Sequence, residues 1–103
     1  MNKVYLPIEN YCDRKSFYGK CEAWRDEEKK SSYVRSYSTI VCVFVEGDGF
    51  HRTWGGYSAT TMRHVNAFVK LLGFWNGWQE DGSTVGGKQW WDTLPVEDIR
   101  DFM

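Results

Sequence analysis

The stretch Tyr33-Val34-Arg35-Ser36-Tyr37-Ser38-Thr39-Ile40-Val41-Cys42-Val43-Phe44-Val45 decides the fold class. It is rich in Tyr, Thr, Val and Ile and holds no Gly or Pro, which predicts a β-strand. Val41, Val43 and Val45 fall on one face, and Ile40, Cys42 and Phe44 on the other. Apolar residues on both faces predict a central strand covered on each side along its second half. Upstream, Phe17, Gly19, Cys21 and Ala23 alternate with Tyr18, Lys20, Glu22 and Trp24, the period of a second strand. The charged run 25–30 then reads as a solvated hairpin loop. Downstream, Glu46-Gly47-Asp48-Gly49 is turn chemistry, and residues 50–54 return as the next antiparallel strand. A short extended piece at residues 3–6 sits in an otherwise irregular lead-in.

One helix follows. Ser58 or Thr60 can cap its start by accepting from an orphan backbone N–H. Met62, Val65, Phe68 or Val69, and Leu72 recur at helical spacing, and Gly73 stands where a C-terminal glycine cap belongs. Residues 79–87 read as a mobile loop, and residues 89–94 as a short helical turn that packs Trp90 or Trp91. Pro95 is placed to open a last helix over residues 96–102. These elements predict one α+β domain over residues 1–103, near the common domain size. It has a small antiparallel sheet of three or four strands packed against one main helix, with short C-terminal helices.

Rings make up 17% of the chain, 6 Trp, 6 Tyr and 6 Phe. Each buried ring removes on the order of 150–250 Å² from water, so a few suffice for a core of this size. Others are left for the surface, where Trp and Tyr favour binding patches. The net charge of −1, from 13 basic and 14 acidic residues, lacks the basic excess of a generic DNA binder. The longest apolar run, residues 40–45, is far short of the roughly 20 residues a membrane-spanning helix needs. No signal-peptide stretch opens the chain, so a cytoplasmic location is expected, with Cys12, Cys21 and Cys42 as reduced thiols. Their spacing fits no zinc pattern, and no catalytic residue, metal or cofactor is expected.

Two groups of side chains are candidates for contact with a macromolecule. Trp75, Trp78, Trp90 and Trp91 lie near Asp92, Glu97 and Asp98, a mixture suited to a protein-binding patch. Solvated helix ends would use the same acids. Arg14, Lys15, Tyr18 and Lys20 interleave charge and ring around the first long strand, as single-stranded nucleic-acid binders do. Charges beside an edge strand also discourage sheet-to-sheet pairing. Arg63 and His64, expected on the polar side of the helix, could add to an anion or nucleic-acid contact. Gly82-Ser83-Thr84-Val85-Gly86-Gly87-Lys88 fails as a phosphate loop, because Gln89 follows the lysine where Ser or Thr is required.

Tyr11-Cys12-Asp13-Arg14-Lys15-Ser16-Phe17-Tyr18-Gly19-Lys20, residues 36–41 and residues 57–68 together resemble a family of small proteins of Firmicute phages, prophages and mobile elements. Those proteins share an R-K-S-F-Y-G-K opening, an S-Y-x-T-x-V strand and an S-x-T-T-x-R-H helix start. The resemblance spans about residues 10–72 and implies the company of accessory genes, including inhibitors of host defence. The expected function is therefore a non-enzymatic accessory protein that binds a host protein and blocks it, with a CRISPR-Cas nuclease (anti-CRISPR action) as the first candidate. The alternative is a small nucleic-acid-binding module built on the basic, aromatic strand and the main helix.

Overall fold

The computed structural model describes residues 3–11, 20–76, 79–81 and 83–102. Five strands form one antiparallel meander: β1 (Lys3–Leu6), β2 (Cys21–Asp26), β3 (Ser31–Ser36), β4 (Thr39–Val45) and β5 (Gly49–Arg52). A 3-10 turn, Ile8–Tyr11, follows β1, and helices α1 (Ala59–Leu71) and α2 (Gly87–Thr93) follow β5. The architecture is the expected α+β sheet against one long helix and a shorter one, with five strands where three or four were expected.

The extra strand arises inside the deciding stretch. Residues 33–45 do not run straight; they fold back at Tyr37-Ser38, with Ser36 paired to Thr39. Tyr37 takes a φ of 58°, and its amide donates to the Lys20 carbonyl at 2.7 Å. Left-handed backbone usually calls for Gly or Asn, so a tight turn carried by Tyr and Ser gives no sequence signal. The run expected as a loop at residues 25–30 is shorter, because β2 continues through Asp26. Asp26 then caps the turn by accepting from the Glu28 and Lys29 amides.

Strand register assigns the two faces of the sheet. Leu6, Ala23, Val34, Cys42 and Arg52 lie opposite one another across the five strands. Next to them, Tyr5, Trp24, Tyr33, Val43 and His51 form a second row on the other face. The first row meets α1, where Met62, Val65, Ala67 and Phe68 close the core with Ile8 and Trp91. Ser58 starts α1 by accepting from the Thr61 amide at 3.0 Å. The final helix expected from Pro95 does not form. Val96 instead bridges Arg52 in parallel, and a 3-10 turn at Ile99–Asp101 begins only after Asp98, whose carboxylate accepts from the Arg100 amide. No helix among the described residues is long and apolar enough to cross a membrane.

Candidate functional site

The end of α1 projects rings outward. Gly73 takes a φ of 85° and donates to the Lys70 carbonyl, while the Phe74 amide donates to the Val69 carbonyl. That pair of bonds is a Schellman stop, which needs a residue tolerant of positive φ where the chain turns off the helix axis. Phe74 and Trp75 emerge from it 44% and 42% exposed. Neither is isolated. The Phe74 ring lies 5.0 Å from Phe44 and 5.6 Å from Phe50, and Phe50 in turn meets Trp90 at 5.4 Å and the buried Phe68 at 6.2 Å. A chain of rings therefore runs from the core to the surface.

Trp75 is fixed from two sides. The Lys70 ammonium sits over its ring at 4.9 Å, and Gly86 packs so close that a Cβ there would lie 2.3 Å from a ring carbon. Residues 79–87 were expected to be mobile. The described ones are tied down: Asn76 donates to the Ser83 carbonyl and accepts from the Val85 amide, and Asn66 accepts from the Gly87 amide at 2.8 Å. Side chains here supply the hydrogen bonds that a regular element would otherwise provide.

The sequence-derived residues do not gather at one place. Trp75 lies on the ring surface and Trp90 is half-buried within it. Trp91 is a correction: at 1% exposed it is core, stacked under the Arg52 guanidinium at 4.6 Å, and offers no surface. Asp92 is exposed and pairs with Lys88 at 2.6 Å, whose ammonium also sits over the Tyr57 ring. Glu97 and Asp98 belong to the C-terminal segment after α2. Glu97 binds His51, and Asp98 holds Arg100. His64 is the second correction. Expected on the polar side of α1, it is 0% exposed, with Nδ1 hydrogen-bonded to the Ser36 hydroxyl at 2.8 Å; Ser36 also meets Thr61 at 3.0 Å. Lys20 and Arg63 are exposed. Arg14, Lys15, Tyr18 and Trp78 lie outside the described residues.

Sequence reasoning passed over two polar residues of β5. Arg52, 7% exposed, donates to the carbonyls of Trp54, Gly56 and Trp91 at 2.9, 3.1 and 3.0 Å. It stitches the strand to the loop before α1 and to the end of α2. His51 lies on the opposite face between two carboxylates, Nδ1 at 2.6 Å from Glu97 and Nε2 at 2.8 Å from Asp48. Burial lowers the affinity of its ring for a proton, but the two carboxylates outweigh that and hold the imidazole above its ordinary value. No local pattern marks either residue, because their partners lie up to 46 positions away. Among the described residues no group of three or more His, Cys, Asp or Glu is placed to hold a metal. Cys21 and Cys42 lie in the core, where burial pushes the Cys42 thiol up, so it is a poor nucleophile in place.

The model of a family of unknown function, DUF8033, matches residues 7–92. The chain belongs to that family. Its matched span takes in every strand after β1, all of α1, the ring surface around Phe74 and α2 as far as Asp92, and ends before the C-terminal segment that meets His51. No curated protein and no solved structure matches the chain.

Proposed function

We propose that this DUF8033 chain acts by binding another protein and blocking it sterically, and that the surface around Phe74 and Trp75 makes the contact. The exposure of these two rings, rooted through Phe44 and Phe50 in the core, carries the reading. A ring already held in place gains apolar burial on binding with little further loss of side-chain freedom. Lys70 over Trp75 adds a cation at the rim, which favours a partner with carboxylates beside an apolar centre. The class of target rests on the resemblance to phage and mobile-element proteins, and a CRISPR-class defence nuclease is the first candidate.

The test pairs wild type with a Phe74→Ala/Trp75→Ala double variant, both checked by thermal melting for an intact fold. Wild type should hold its target through a pull-down and depress the nuclease activity, and the double variant should lose both. Equal capture by the two proteins overturns the surface. Nuclease activity undiminished by excess wild type overturns the target.

A second reading has one observation of its own. Helix α1 contains no acidic residue, and Arg63 and Lys70 lie two turns apart on its exposed side. Neither meets a carboxylate among the described residues, as a nucleic-acid contact would require. Binding of a single-stranded oligonucleotide that falls steeply with salt, and falls again in Arg63→Gln/Lys70→Gln, would favour this reading over the first.

A further inference from the structure

The C-terminal segment meets the sheet at β5. Val96 bridges Arg52 on the outer side of β5, and the Glu97 amide donates to the Arg52 carbonyl at 2.8 Å. Farther along, the Phe102 ring lies 4.8 Å from the His51 imidazole. Between these points His51 bridges Glu97 of the segment and Asp48 of the β4–β5 turn. Below Phe102 lies a shallow depression of about 290 Å³, lined also by Lys29, Ser31, Val45, Asp48 and Asp101.

Both ring nitrogens of His51 face carboxylate oxygens. An imidazolium fills both positions with N–H donors, whereas a neutral imidazole has one N–H and must set a lone pair against the other carboxylate. The charged groups around the ring come from each neighbouring element. Asp48 comes from the turn and Glu97 from the segment; Lys29 of the β2–β3 loop and Asp101 line the adjoining depression. Val43, opposite on β4, is uncharged. Arg100 pairs with Asp98, so among the described residues His51 is the cation that meets Glu97.

We infer that residues 96–102 form a strap over the outer edge of β5, latched while His51 carries a proton and loosened when it gives that proton up. Opening bares the Arg52 carbonyl and the β5 edge, and takes away the Asp101 and Phe102 wall of the depression. Loss of the proton removes a charge-assisted bond at 2.6 or 2.8 Å and leaves Glu97 and Asp48 close together without the cation between them. The strap is independent of the Phe74 surface, so either inference can fail while the other stands.

The test is NMR on the full chain from pH 5 to 9. It follows the His51 ring signal and the exchange protection of the Glu97 amide, taken relative to the unfolded-chain rate at each pH. His51 should titrate above the free value of about 6.5. Across that same midpoint Glu97 protection should fall on the order of tenfold, while protection of the Tyr33 and Val43 amides holds. In Glu97→Gln the His51 midpoint should drop, and in His51→Gln the strap should be open at every pH. Should His51→Gln fail to fold, Glu97→Gln alone decides. Flat Glu97 protection through the His51 titration overturns the strap. A midpoint at or below the free value, or one unmoved by Glu97→Gln, does the same.

Discussion

The two faces of the sheet solve burial in different ways. On the helix face, Ala23, Val34 and Cys42 are short side chains sealed from outside by α1 and α2, and Phe68 is pressed onto them. On the other face the row Tyr5, Trp24, Tyr33, Val43 and His51 is built mostly of long side chains, with Phe102 of the C-terminal segment against His51. Trp24 and Tyr5 meet edge-on at 5.2 Å, and Lys3 lies over Tyr33 at 5.7 Å. The polar ends of these long side chains reach partners at the rim. The Trp24 indole donates to Glu22, and the Tyr5 hydroxyl donates to Glu9, which pushes the Tyr5 ionisation up to about 12. The face under the long helix takes small, close-fitting residues; the other takes rings with a wet end.

The largest expected difference between the faces comes from ring removal. Phe68→Ala, in the sealed layer, should cost about 4 kcal/mol in urea unfolding. Trp24→Ala removes a larger ring from the other row and should cost about 1 kcal/mol, since that ring is only partly buried. Equal losses would mean that the second face is as closed as the first.

A smaller effect tests the charged end of the open row. The folded-state pKa of His51 is raised, so its contribution to stability is fully present below the unfolded value and is lost as pH rises through the folded one. Subtracting His51→Gln from wild type should therefore give a stabilisation of about 1 kcal/mol near pH 5.5 that fades on the alkaline side. A difference that grows with pH would reverse the assignment. The smallest effect lies on the sealed face, where Ser32 is buried and its hydroxyl is without a hydrogen-bond partner among the described residues. Ser32→Ala should raise stability by about 0.5–1 kcal/mol, read as a shift of the urea midpoint at unchanged slope.

Sequence pattern carried the strands and the helix because both faces of the sheet and one stripe of α1 obey simple periods. It failed where tertiary contacts widened or interrupted those periods. α1 touches β3 on one side and the 3-10 turn Ile8–Tyr11 on another, so its buried surface extends from the predicted stripe to Thr61 and His64. His64 looked polar because helical spacing alone knows nothing of the β3 flank, where Ser36 meets both Thr61 and His64. The Tyr37 turn was invisible for want of Gly or Asn, and this joined two strands into one. At the candidate surface, a surplus of rings was readable from composition, and Trp75 was among those named. Phe74, next to Trp75 and in ring contact with Phe44 and Phe50, was not singled out, and of the two roles open to Trp91, packing under the helical turn or joining the patch, the structure gives the first.

The meander order has a kinetic consequence. Within the sheet each strand pairs with its neighbour in sequence, so the pairings that follow β2 form by closing turns of two to four residues. Loop-closure entropy is small for such steps, and chains rich in local contacts cross their folding barrier quickly. The distant closures that remain are the β1–β2 pairing across residues 7–20 and the seating of α1, α2 and the last residues on the sheet, so these are the contacts expected to weigh most on the folding rate.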